Sequence, residues 1–498
     1  MLIYAVDLGS TNIKVVLYRE SGPDGGLAEV AVCRAPMAYQ RTGTLVEFDP
    51  VQLVRDVLDL IGRCAASTGT AAAEHARIAI TGQAESLVLV DRAGVPVAPG
   101  ISWMDERATR ETEEIAAQFD PLEAFAITGQ PQPTPTWPAT KLRWIAQHQP
   151  DWLAATHLVL MIKDYLIQAL TGVAVGEMTT RGFSYLYDVQ QRAYWSEMLE
   201  FCGVRAQMMP EVVAAGDDVA QVLPSIAGML PPALSYTVNA GALDHFCAMV
   251  GSGSYQPGDV SVSAGTVLAV SKLAPQWRFD ASLNVSFHPG LTPGDTVLFS
   301  CADSGGINLD WFREIAGGLG YDQLERALGA RSLRDAPLFL PYLTGVNPPD
   351  FDADARGAFL GLRLRHDRID LAYAVMEGVA HLLRRNLDDL ADHGHRADAM
   401  VSAGGGTASA TWNQLKADVC GLDLRAPAEP EAACRGAAML ALAGVSGADA
   451  LSVPSASPER LYPAHPDPWQ EQRYAAFDAA VGRLSGMDPT TFNQGVPS

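Results

Sequence analysis

Residues 1–20 read MLIYAVDLGSTNIKVVLYRE, and residues 259–273 read DVSVSAGTVLAVSKL. In the first stretch Ile3 to Val6 is rich in strand formers, Leu8-Gly9-Ser10-Thr11-Asn12 is turn chemistry, and Ile13 to Tyr18 is a second strand. The second stretch repeats the plan: Val260 to Ser263, a tight Ala264-Gly265-Thr266 turn, then Val267 to Lys272. Gly9 and Gly265 lie about half the chain apart. Internal similarity at that spacing predicts two related α/β domains, each opening with a small-residue hairpin.

Working outward, the strand–helix alternation continues. ARIAITGQAESLVLVD (76–91) reads as two strands around a Gly-Gln loop. DPVQLVRDVLDLIGRCAA (49–66) has helical spacing, with Asp49 as N-cap and Pro50 at the first helical position. TGQPQPTPTWPATK (128–141) holds four prolines and reads as an extended surface stretch. DLAYAVMEGVAHLLRRNLDDLADHG (370–394) reads as a long amphipathic helix ending at glycine, and MVSAGGGTASATWNQLKADVCG (400–421) as strand, glycine turn and helix. The segment after about Ser446 reads as a C-terminal appendage with a short helix around Arg473 to Leu484.

Composition bounds the function. The 498 residues predict two or three domains, and 48% hydrophobic with 18% charged residues is globular. A net charge of −22 repels polyanions, so neither nucleic acid nor an anionic membrane is expected as partner. The seven cysteines form no CxxC pair, which fits reduced thiols in a cytoplasmic protein. The N-terminus lacks a basic region, so no signal peptide is expected, and no apolar run of about 18 residues predicts a transmembrane helix.

The two hairpin tips suit phosphate: glycine admits close backbone approach, successive N–H groups form an anion nest, and hydroxyls add donors. Asp7, beside the first tip, would then hold Mg²⁺, which prefers carboxylate and water near phosphates. Gly404-Gly405-Gly406, ahead of a helix, is a third close-approach turn, weak by itself. There is no Walker A sequence and no GxGxxG after a predicted strand, which argues against P-loop and Rossmann readings. Asp244, in VNAGALDHFCAMVG (238–251), follows a Gly-Ala turn and precedes a helix. It could accept a hydroxyl proton in phosphoryl transfer, although a helix N-cap is the commoner duty of Asp at such a place.

With these pieces together the sequence resembles the FGGY family of carbohydrate kinases over roughly positions 1–445. GAFLGLRLRHDRIDLAYAVMEG (357–378) looks like the family's C-terminal signature, through Gly357, Phe359, Gly361, Leu362, Asp370, Leu371, Ala374 and Glu377. WPATKLRWIAQH (137–148) resembles the N-terminal one, through Pro138, Lys141, Leu142 and Trp144. ISWMDERA (101–108) and KDYLIQALTG (163–172) are similar to further family segments. The resemblance implies two duplicated actin-like and Hsp70-like ATPase domains, of the ribonuclease H-like α/β class, with a cleft between them. It places a sugar-binding half at 1–248, a nucleotide-binding half at 249–446 and the appendage at 447–498.

The resemblance also implies roles. Asp244 becomes the catalytic base; Asp7, Thr11, Asn12, Lys14, Gly265, Thr266, Gly305, Gly306, Gly405 and Gly406 become contacts to ATP and Mg²⁺, with Ser304 beside them. Gln83, Ala84, Glu85, Trp103, Asp105 and His245 become the substrate residues. Two departures bear on the acceptor. Gly82-Gln83-Ala84-Glu85 stands where xylulokinase-like members show Gly-Gln-Met-His and glycerol kinases Asn-Gln-Arg-Glu, and His245 replaces their Asn or Gln. GVNPP (345–349) lacks the usual Glu-Arg of its loop. The implied activity is ATP-dependent phosphorylation of a small sugar or polyol, a pentulose such as D-xylulose first, with glycerol, a tetritol or another polyol as the alternative. A non-catalytic sugar or nucleotide sensor and an actin-like interaction protein are readings of other classes, and a homodimer is left open.

Overall fold

The computed structural model describes residues 1–21, 26–66, 74–264, 267–292, 294–302, 304–330, 333–343, 345, 355–403, 409–428, 431–446 and 459–484. Gly265, Thr266, Gly405, Gly406 and most of the 345–349 loop therefore lie outside the described residues.

Two sheets carry the chain. The first runs, in spatial order, Asp218–Gln221, Ser235–Asn239, His75–Gly82, Leu2–Leu8, Asn12–Ser21, Gly26–Pro36. The second runs Ser286–Pro289, Thr296–Ala302, Leu268–Ala274, Asp259–Ala264, Ala399–Ala403, Leu424–Pro427, Glu459–Tyr462. Each centres on a hairpin strand that pairs antiparallel with its partner and parallel with a strand from far along the chain. Outward from there each has a further parallel pair and an antiparallel edge strand. The two mixed sheets thus repeat one pairing plan, the duplication that the hairpins predict.

Local chemistry explains the elements. Asp49 Oδ1 accepts the N–H groups of Val51 and Gln52 at 2.9 and 3.1 Å, capping helix Pro50–Ala66 as expected. The proline-rich stretch differs from expectation: Thr128, Gly129 and Gln130 are buried, and Pro138 opens helix Pro138–His148. Proline is favoured at a first helical position because its missing N–H has no partner there anyway. Residues 459–484 of the segment expected as an appendage are integral to the second half. Glu459–Tyr462 is the edge strand of the second sheet, and helix Pro468–Leu484, longer than foreseen, docks Arg473 on buried Glu377.

The halves meet through two helices, Asp244–Gly251 and Ala432–Ser446. A Cβ on Gly436 would lie 1.8 Å from Cys247 O and one on Gly251 1.9 Å from Ala432 O, so the backbones touch where only hydrogen fits. One apolar core runs across this crossing, taking Val250, Cys434, Phe183 and Phe299 together. Among the described residues no helix is long and apolar enough to cross a membrane.

Candidate active site

The site begins where the parallel strands end. Leu8 is in register with Gly82, and Gly82 bridges to Leu243. Gly9-Ser10, Gln83 and Asp244 therefore leave the sheet side by side, at the carboxyl ends of parallel strands where ligands of such sheets sit. Gly241, just before Asp244, has φ +55°, and a Cβ there would fall 2.1 Å from Ile80 O, so the approach to Asp244 needs glycine.

Asp7 is buried at the end of its strand, with 6% exposure, and its Oδ1 has no hydrogen-bond partner. Burial pushes its carboxyl up to about 6, opposed by Lys14 and assisted by the charges of Asp244 and Glu431. That interaction puts Asp7 and Asp244 in one electrostatic site although the chain separates them widely. Lys14 Nζ lies 3.6 Å from Asp7 Oδ2 and 3.0 Å from Glu431 Oε2, and Arg34 reaches Glu431 Oε1 at 2.8 Å. Glu431, from the second half, was not foreseen: a lone acid before a helix gives no signal in sequence. Thr11 is exposed and Asn12 half-buried at the hairpin tip.

The residues expected at the substrate gather at the junction of the first sheet with a smaller one that contains Leu87–Val90 and Gly100–Ile101. Gln83 is buried; its Oε1 accepts from Ser86 Oγ at 2.9 Å, and its Nε2 lies 3.3 Å from the Tyr39 hydroxyl. Trp103 Nε1 donates to Ser10 Oγ at 2.9 Å, tying the tryptophan to the hairpin tip. Ala84 is buried, and Glu85 is half-buried with φ +66°. Burial pushes Glu85 up to about 7 against the pull of Lys141, and burial lowers Lys141 to about 8. Lys141 Nζ donates to Ser102 O at 2.8 Å, so the signature lysine ties together the two loops.

Asp105, expected at the substrate, is fully buried. Its oxygens accept from Arg107 Nε and Nη2, each at 2.7 Å, and from Val46 N–H. The carboxylate shapes the 102–107 segment from behind. His245 is half-buried, its ring 5.1 Å from Phe299. Asp244 is the first residue of its helix, half-buried, with Oδ1 accepting His245 N–H at 2.6 Å. Ser304, Gly305 and Gly306 form a buried turn; a Cβ on Gly305 would lie 2.2 Å from Val267 C, so packing against the second hairpin already requires that glycine.

Among the described residues no group of three or more His, Cys, Asp or Glu side chains is placed to hold a metal. A magnesium ion at Asp7 would thus draw its remaining ligands from phosphate and water, its usual preference. The unpartnered Oδ1 of Asp7 fits that duty.

Comparison with known proteins identifies the family. The family description "FGGY family of carbohydrate kinases, N-terminal domain" matches residues 2–251, and the C-terminal domain of the same family matches residues 261–445. A xylulose kinase of Klebsiella pneumoniae is 29% identical over 427 residues, 84% of this chain and 85% of its own. An autoinducer-2 kinase of Yersinia enterocolitica is 26% identical over 470 residues, 90% of this chain and 87% of its own. The crystal structure of a "xyloylose kinase" from Brucella ovis superposes with a TM-score of 0.89 at 27% identity, covering 98% of this chain and 100% of that one.

Proposed function

The chain belongs to the FGGY family of carbohydrate kinases and is an ATP-dependent sugar kinase; we propose that its acceptor is a pentulose, D-xylulose first, and that Asp244 is the general base. The observation that carries the reading is the convergence of Asp7, Gln83 and Asp244 at adjoining strand ends, with Asp244 half-buried at the start of its helix. Asp244 accepts the proton of the attacking hydroxyl as its oxygen bonds to the γ-phosphorus and the bond from that phosphorus to the leaving ADP oxygen breaks. Lys14, Thr11, Asn12 and the amides near Gly9 and Gly305-Gly306 hold the phosphates; Gly265, Thr266, Gly405 and Gly406, expected to join them, lie outside the described residues. Asp7 would hold Mg²⁺, which supplies positive charge against the phosphate oxygens. Gln83 and Glu85 orient the sugar by hydrogen bonds, Trp103 and His245 wall it, and Asp105 keeps the Trp103 segment in shape. No disulfide joins the seven cysteines, in keeping with a cytoplasmic setting.

A polyol is the second reading, favoured by Glu85: a carboxylate beside the small Ala84 suits a chain of adjacent hydroxyls. A panel of D-xylulose, D-ribulose, L-ribulose, glycerol, erythritol and D-gluconate, followed by ADP release, separates the two. Asp244→Asn is expected to lower turnover of the best panel member by about 10³-fold, with both KM values within a few-fold. Near-normal turnover in that variant would remove Asp244 as base. Preference for glycerol or erythritol over D-xylulose would select the second reading.

A further inference from the structure

The carboxylate assigned as base rides on a helix whose N-cap residue offers no side-chain acceptor, and within the first turn Asp244 Oδ1 itself accepts an N–H, that of His245 at 2.6 Å. Leu243 stands at the N-cap of Asp244–Gly251 and has no side-chain acceptor to offer. The acceptor comes instead from elsewhere in the chain: Leu243 N–H is donated to Thr179 Oγ1 at 2.9 Å. Thr179 Oγ1 donates its single proton to Glu177 Oε2 at 2.8 Å, so a lone pair is left to receive Leu243. Glu177 also accepts Thr179 N–H at 2.7 Å and Lys163 Nζ at 2.9 Å.

The same ammonium donates to Ala240 O at 2.9 Å, and Thr81 Oγ1 donates to Ala242 O at 2.8 Å. Residues 240–243 are thus held at three points before the chain turns into Asp244. Lys163, Glu177 and Thr179 each have 0% exposure, and a second buried pair, Asp164 with Arg181, lies against them. Buried charges that satisfy one another specify geometry more than they add stability.

We propose that Thr179, held by Glu177 and Lys163, is a positioning residue for phosphoryl transfer: it caps the helix through Leu243 N–H and so sets the direction in which Asp244 presents its carboxylate. The inference rests on Asp244 being the base. A small rotation of the helix start moves that carboxylate off the hydroxyl proton and shifts the His245 wall, while Gln83, Glu85, Trp103 and the nucleotide contacts, which lie on other elements, stay in place, so the loss falls more on kcat than on KM.

Thr179→Val removes the hydroxyl at nearly constant shape, and Thr179→Ser restores it. With ATP and the best-turned-over sugar of the panel, Thr179→Val is expected to lose about 10–100-fold in kcat, with both KM values within about threefold. Thr179→Ser is expected to stay within about threefold of the wild-type kcat. Should the valine variant not fold, as judged by its melting curve, Thr179→Ala carries the same expectation. The proposal is overturned if the folded valine or alanine variant keeps wild-type kcat, if kcat and KM worsen together, or if serine falls as far as valine. Asp244→Asn is assayed alongside. If it stays active the base assignment fails; if it is inactive while Thr179→Val is normal, the base stands and the positioning role fails.

Discussion

Glu85 occupies left-handed backbone, φ +66°, where a non-glycine side chain is strained and needs surrounding structure to hold it. Burial raises its carboxyl to about 7 while Lys141 pulls the other way. A group so raised is protonated below that pH and becomes an acceptor above it. The KM for the sugar is therefore expected to fall between pH 6 and 8, and to level off as Lys141, lowered to about 8, begins to lose its charge. Glu85→Gln should raise that KM about tenfold and flatten its pH profile; a profile unchanged in the variant would place Glu85 outside the pocket. Gln83, Glu85 and Trp103 were placed at the substrate by the family resemblance alone, and the fold brings Gln83 to Tyr39 and Trp103 to the hairpin tip at Ser10. Asp105 was placed there by the same resemblance, yet Arg107 and the Val46 N–H use up its acceptor capacity. Which carboxylate is free depends on neighbours that sequence spacing does not bring together.

At the level of elements, the helix pair Asp244–Gly251 and Ala432–Ser446 joins the halves and carries the proposed base, Asp244, at one end. Its contact is made of glycine against carbonyl, with no volume to spare at Gly436. Gly436→Ala should push the helices apart and cost about 1–3 kcal/mol, seen as a lower melting temperature together with a reduced kcat. A variant with wild-type melting and turnover would show that the crossing yields without cost. The strands and the capped helix at Pro50–Ala66 were readable from periodicity and turn residues. The start of helix Pro138–His148 was not, since a proline cluster reads as extended chain whether or not its last member opens a helix.

Over the whole molecule the last described segment belongs to the second sheet and its helices. Arg473 donates to Glu377 Oε1 at 2.7 Å and to the carbonyls of Ala336 and Pro337 at 3.0 and 3.1 Å, and Arg384 holds Glu471 through two N–H groups, each at 2.8 Å. A chain ended at residue 458 leaves Glu377 buried without its guanidinium, a loss of about 3–5 kcal/mol for such a pair, and bares the face beneath Phe477. Such a truncation should give insoluble protein or lose cooperative melting; a soluble, cooperatively melting product would contradict the account. The hairpins at 1–20 and 259–273, half a chain apart, by themselves determined the duplicated α/β plan, because strand alternation and turn chemistry are local and repeat in the residues. Net charge argues against a polymeric anion but leaves a small phosphate open, since the charges proposed to meet it, Lys14 beside Asp7, are local. Only the tertiary structure decided that Glu431 of the second half closes on Lys14 and Arg34 of the first, that Thr179 caps the helix of Asp244, and that Asp105 is shut away. Those are contacts between distant segments, set by how the sheets and the two crossing helices pack.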